Sequence, residues 1–157
     1  MNKNYLNIYN NLIKFSRNKK LFKIFTNDDI FSDRLVMFLF HFGFFLKIYK
    51  THQNKQELQK IYDYVFRQIE LSIREIGYGD ASVNKRMKTY INFFYSILNK
   101  INDWNNLDFP NKNNLLKSYF NFEGEMSDLI KYFDKYRSFL LKTSLNSFTK
   151  GVINPEF

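Results

Sequence analysis

The sequence predicts an all-α fold: one bundle of about five to seven helices around a single highly apolar central helix. Three observations carry that expectation. Apolar residues recur every three or four positions along most of the chain, whereas strict alternation is nearly absent. A 45% apolar composition with 19 Phe and 11 Tyr supplies a core. The 157 residues are enough for one domain, 1–157, to bury roughly two-thirds of the surface its unfolded chain exposes.

The elements follow in order. A first helix is expected over residues 4–15, with Tyr5, Ile8, Tyr9, Leu12 and Ile13 on one face. Asn18-Lys19-Lys20 breaks it into a short basic segment, 21–25, and Asn27-Asp28-Asp29 offers capping side chains for the next helix. The second helix, 32–50, is apolar nearly all round, the pattern of the most buried element. Its greasiest run, 35–46, is interrupted by His41 and is shorter than the roughly 20 residues a membrane span requires, so it reads as a core helix.

The third helix, 55–76, repeats Leu58, Ile61, Tyr62, Val65, Phe66, Ile69, Ile73 and Ile76 at helical spacing. The fourth, 82–101, turns Val83, Met87, Tyr90, Ile91, Phe94, Leu98 and Ile101 inward. Asn102-Asp103, Asn105-Asn106, Pro110 and an Asn-Lys-Asn-Asn run predict a loop to about residue 114. A weaker helix over 115–120 is broken by Gly124. The last, 125–143, uses Met126, Leu129, Ile130, Phe133 and Leu140. From Ser144 onward, with Gly151 and Pro155, the tail should be loosely held.

Composition narrows the function. With no cysteine, disulfides, thiolate metal sites and a cysteine nucleophile are excluded. The opening residues, Met1 to Leu6, contain neither an uninterrupted apolar run nor a small-residue cleavage site, so no secretory signal is expected. The net charge of +9 suits anionic partners such as RNA, acidic headgroups or an acidic protein surface. AT-rich codon usage, which favours Asn, Lys, Ile, Phe and Tyr together, is the other source open to that charge.

Chemistry-bearing motifs are sparse. His41 and His52 lie eleven residues apart, roughly 16 Å along a helix, too far to share a metal. His41 on an apolar helix reads as a satisfied core residue. Asp28-Asp29 and Asp80 lack calcium-loop spacing. Glu123 and Glu125 flank Gly124 with nothing nearby to tune a carboxylate pair. Gly77-Tyr78-Gly79 lacks the lysine-containing ending of a phosphate loop and has no preceding strand. No cofactor, no metal and no catalytic residue is expected.

The most informative stretch is residues 74–88. An amphipathic run ends at Ile76, the chain turns through Gly77-Tyr78-Gly79-Asp80, and a basic helix begins. Gly77 and Gly79 read as a helix stop and tight turn, with glycine supplying positive φ. Arg74, Lys85, Arg86 and Lys88 surround the corner. The last three occupy the first turns of a helix, where the dipole disfavours cations by about 0.3–1 kcal/mol in the terminal turn. Asp80 can offset part of that as a cap or pair. Such cations form either a solvated face or a surface awaiting a partner, and Tyr78 at the apex is placed to touch one. Arg74 and Glu75 are equally suited to locking the corner through Asp80 and Lys85.

At this corner the chain resembles the ubiquinol–cytochrome c chaperone family, bacterial relatives of the mitochondrial factor that helps assemble cytochrome b. The family pattern, close to L-R-E-M-G-V-G-D-x-x-V-x-K-x-x-K and a following Phe-Tyr, is matched by Ile73 to Lys88 and by Phe94-Tyr95. Upstream, Arg34, an apolar run and Phe40-His41 resemble the family's Arg, apolar stretch and Leu-His. The resemblance covers about residues 30–96. Departures are Ser96-Ile97 where the family often has Gly-Arg, Val36 in place of an acidic residue, and Lys47 and Lys50 in place of arginines.

The resemblance implies a non-enzymatic, all-helical chaperone. It implies partners too: cytochrome b or another reductase subunit, the ribosome, the anionic inner-membrane surface, and a small helper protein like that of the mitochondrial relative. It further implies a cytoplasmic protein acting peripherally at the inner membrane. The residues expected to meet a partner are Arg74, Glu75, Tyr78, Asp80, Lys85, Arg86 and Lys88. The rival reading is a basic helical RNA- or ribosome-binding protein, which predicts RNA affinity falling steeply with salt and no preference for cytochrome b. An enzyme would need a polar pocket lined by carboxylates or His41, for which the sequence gives no warrant.

Overall fold

A computed structural model describes residues 2–18, 21, 31–120, 126–154 and 157. Among these residues there are seven α-helices, one 3-10 turn and no strand. The helices are α1 (Asn2–Ser16), α2 (Phe31–Tyr49), α3 (Lys55–Ile76), α4 (Asp80–Ile101), α5 (Phe109–Lys117), α6 (Ser127–Lys142) and α7 (Leu145–Lys150). A 3-10 turn, Trp104–Asn106, links α4 to α5. The expected segment 21–25 (Leu21 apart), the caps Asn27-Asp28-Asp29, the residues Glu123, Gly124 and Glu125, and Pro155 lie outside the described residues.

Helix α2 packs against α1, α4 and α6. Its buried side chains run around much of its circumference and include Met37, Leu39, Phe40, His41, Phe42, Phe44 and Phe45. A close approach makes this packing work. A Cβ on Gly43 would lie 3.1 Å from Ile101 Cδ1 and 3.4 Å from Ile97 Cγ2, so the missing side chain lets α4 sit against α2. Phe42 stacks on Phe94 of α4, with centroids 5.3 Å apart, and Phe44 stacks on Phe133 of α6 at 5.3 Å. Among the described residues no helix is long and apolar enough to cross a membrane.

His41 is fully buried, as expected of a core histidine. Its Nδ1 lies 2.7 Å from the Met37 carbonyl and its Nε2 2.6 Å from the Tyr132 hydroxyl. Burial holds its pKa down to about 4, so the ring is neutral: Nδ1–H donates to the carbonyl and Nε2 accepts from the phenol. Tyr136 O–H in turn donates to the His41 carbonyl at 2.9 Å. This network pins α2 to α6.

Two sequence expectations are corrected. The run from Phe109 to Asn114, read as loop, is helical. Asp108 Oδ1 accepts from Asn111 N–H at 3.0 Å, and Pro110 sits in the first turn, where its missing N–H costs nothing. The tail is held rather than loose. Ser144 Oγ caps α7 by accepting from Ser147 N–H, and Phe148 is fully buried. Asn11 of α1 donates to the carbonyls of Phe148 and Gly151 and accepts from Ile153 N–H at 3.0 Å. A buried asparagine reaching backbone 140 residues away leaves no periodic signal, which is why the sequence pattern hides it.

Candidate functional site

Residues 73–88 form a real break between two long helices. Ile73 near the end of α3 and Val83 near the start of α4 are both buried, and the two helices pack against each other. Helix α3 stops because Gly77 takes φ 109° and ψ 11°, and its N–H donates to the Arg74 carbonyl at 3.0 Å. A side chain in that left-handed conformation costs about 1–2 kcal/mol. Gly79 differs from the sequence expectation. It is extended, φ −72° and ψ 164°, and none of the described residues lies within 4 Å of where its Cβ would stand. Positive φ is therefore needed at Gly77 alone; Gly79 serves as the N-cap residue of α4, its carbonyl accepting from Val83 N–H at 2.9 Å.

Across this turn the Arg74 guanidinium bonds Asp80 and lies 3.6 Å from Glu70. The hydrogen bond to Asp80, and then the nearby carboxylates, raise the Arg74 pKa above its ordinary value. Asp80 thus acts as a pair and not as a side-chain cap. Its side chain is 86% exposed, so the pair fixes geometry more than it stabilises the fold. Glu75 does not reach Lys85: it is exposed and in no ion pair among the described residues. Its charge acts instead on Tyr9 of α1, whose pKa is raised chiefly by burial and slightly by Glu75.

The outer surface of the corner carries the cations. Lys85 and Lys88 are exposed. The Arg86 guanidinium lies 3.9 Å from the centre of the Tyr78 ring, and its Nε is buried with no hydrogen-bond partner among the described residues. Stacking on the ring replaces part of the hydration that Nε loses. Ser82, Lys85, Arg86, Thr89 and Tyr90 line a shallow depression of about 350 Å³ beside it. Tyr78 remains 38% exposed and Ile76 55%. Ile76 corrects the sequence expectation of an inward position: the core-facing stripe of α3 ends at Ile73, and the last turn projects past it.

The structure therefore brings Tyr78, Arg86 and Lys85 together on one surface, fastens Arg74 to Asp80, and leaves Glu75 on the flank facing α1. An apolar patch beside fixed and free cations is chemically suited to docking. Among the described residues no group of three His, Asp or Glu side chains could hold a metal ion.

The whole corner falls inside a match to a family model described as "Ubiquinol-cytochrome C chaperone", over residues 23–104. That segment extends beyond the 30–96 of the sequence resemblance on both sides and takes in α2, α3, α4 and Trp104. No curated protein and no solved structure gives a significant match. With more than half of its 157 residues in the match, the chain belongs to the ubiquinol–cytochrome c chaperone family.

Proposed function

We propose that this protein is a non-enzymatic assembly factor for ubiquinol–cytochrome c reductase, binding newly made cytochrome b or another early subunit through the corner between α3 and α4. Family membership carries the chaperone role. The choice of surface rests on one observation: the matched segment holds a rigid turn whose outer face offers exposed Ile76 and Tyr78 beside Arg86 and Lys85. Apolar contact with a hydrophobic client and positive charge toward an anionic inner-membrane surface or ribosomal RNA are both served there. The protein would work from the cytoplasmic side, visiting the membrane peripherally.

The RNA-binding rival draws less support. Stacking platforms for bases need exposed aromatics, and 11 of the largest fully buried side chains are aromatic. Tyr78 is the single exposed ring at the corner among the described residues. A strain lacking the protein tests the proposal: the b-type haem signal of the reductase should fall while general translation stays normal. An unchanged signal removes the proposal.

A further inference from the structure

A second surface lies at the opposite end of α3 and α4, about 30 Å from the corner at a rise of 1.5 Å per residue. There the C-terminal end of α2 meets the start of α3 and the end of α4 around a groove of about 210 Å³. Leu46, Leu58, Tyr62 and Leu98 contribute its apolar lining, and Tyr95, 52% exposed, flanks them. Tyr62 and Tyr95 stack with centroids 6.3 Å apart, which fixes one wall. At the other end stand Lys47, Lys50 and Lys55.

The lysine end is preorganised. In the turn from α2 to α3, Thr51 N–H donates to Asn54 Oδ1 at 2.7 Å and Asn54 N–H donates back to Thr51 Oγ1 at 3.2 Å. Asn54 Nδ2 also donates to the Tyr49 carbonyl at 2.6 Å. These bonds fix the turn between Lys50 and Lys55, both of which line the groove. Lys47 is half-buried and donates to the neutral Asn102 Oδ1 at 3.0 Å. Among the described residues none of the three lysines is in an ion pair. Burial and the neighbouring Lys50 charge lower the Lys47 pKa, with Asp103 opposing them in part.

We infer that this groove docks an acidic amphipathic peptide segment of a partner protein, one apolar side chain entering between Leu58 and Leu98 while carboxylates meet Lys47, Lys50 and Lys55. Charge complementarity selects an acidic occupant: none of the three cations is in an ion pair among the described residues, and Asp103 offsets the charge around Lys47 only in part, so an incoming carboxylate relieves their mutual repulsion. The concave apolar lining selects a protruding side chain. A flat lipid surface would instead need apolar residues that project from the protein, and a phosphate backbone would leave the leucines uncovered. The inference stands apart from the corner proposed above and needs none of its residues.

A fluorescein-labelled 15-residue peptide with leucines at i, i+3, i+4 and i+7 and glutamates between them tests this on the full-length protein at about 150 mM salt. Saturable binding by anisotropy is expected, with the amide signals of residues 46–50, 58, 62, 95 and 98 shifting in NMR spectra. Kd should rise at least tenfold in K50E/K55E, whose positions are exposed, and for a peptide with glutamine in place of glutamate. K85E should leave it unchanged. Absence of binding, equal loss in K85E and K50E/K55E, or retention by the glutamine peptide overturns the inference. So does preferential binding of phosphatidylglycerol vesicles or single-stranded RNA through the same lysines.

Discussion

The Arg86 guanidinium rests 3.9 Å from the centre of the Tyr78 ring, joining the turn after α3 to the second turn of α4. The contact couples a residue at the apex of the corner to a cation on its outer face. Through it the cation is oriented against a ring that itself stays partly open to solvent.

Removing that contact should affect the surface more than the fold. Tyr78→Ala removes the ring stacked on the Arg86 guanidinium and opens that group to water, and the contact itself is worth roughly 0.5–1 kcal/mol at a surface site. Chemical denaturation should show a loss of that size, while reductase assembly in a complemented strain falls severalfold. A large loss of stability with normal assembly would make Tyr78 a scaffold residue.

The two glycines of the turn should respond in opposite ways. Gly77→Ala forces a side chain into left-handed backbone and should lower stability by about 1–2 kcal/mol. Gly79→Ala meets no neighbour among the described residues and has an ordinary φ, so urea denaturation should give an unfolding free energy within about 0.5 kcal/mol of the parent protein's. Equal losses at both positions would contradict the turn geometry.

His41 makes stability depend on acid. Its pKa is depressed from an ordinary 6.5 to about 4 by burial, so the unfolded chain binds a proton that the folded chain refuses. Its contribution is therefore complete above pH 6.5 and is lost as pH falls toward 4. Between pH 7.5 and 5 the unfolding free energy should drop by about 2 kcal/mol from this group. His41→Gln should be less stable at pH 7.5 but should lack that slope. A parent protein indifferent to pH across the window would show that the ring is solvated.

Much of the molecule is legible in the chain because its signals are periodic. Leu58 to Ile73 in α3, and Val83, Phe94 and Ile101 in α4, announce both long helices and the side each buries. The stop at Gly77 is legible because only glycine adopts its φ cheaply. What stays hidden depends on contacts between distant residues. Gly43 gives no sign that Ile97 and Ile101 press against it, and Asn11 gives none that it fastens the tail. The pairing of Arg74 with Asp80 rather than of Glu75 with Lys85 required the angle of the turn, which no spacing encodes.

The central claim, that the corner is a docking surface rather than a scaffold detail, is tested most directly by charge reversal at Lys85 and Arg86. The K85E/R86E protein should keep its helical circular dichroism, yet a strain depending on it should lose most of the reductase's b-type haem absorbance. Full absorbance with the reversed charges in place would contradict the account.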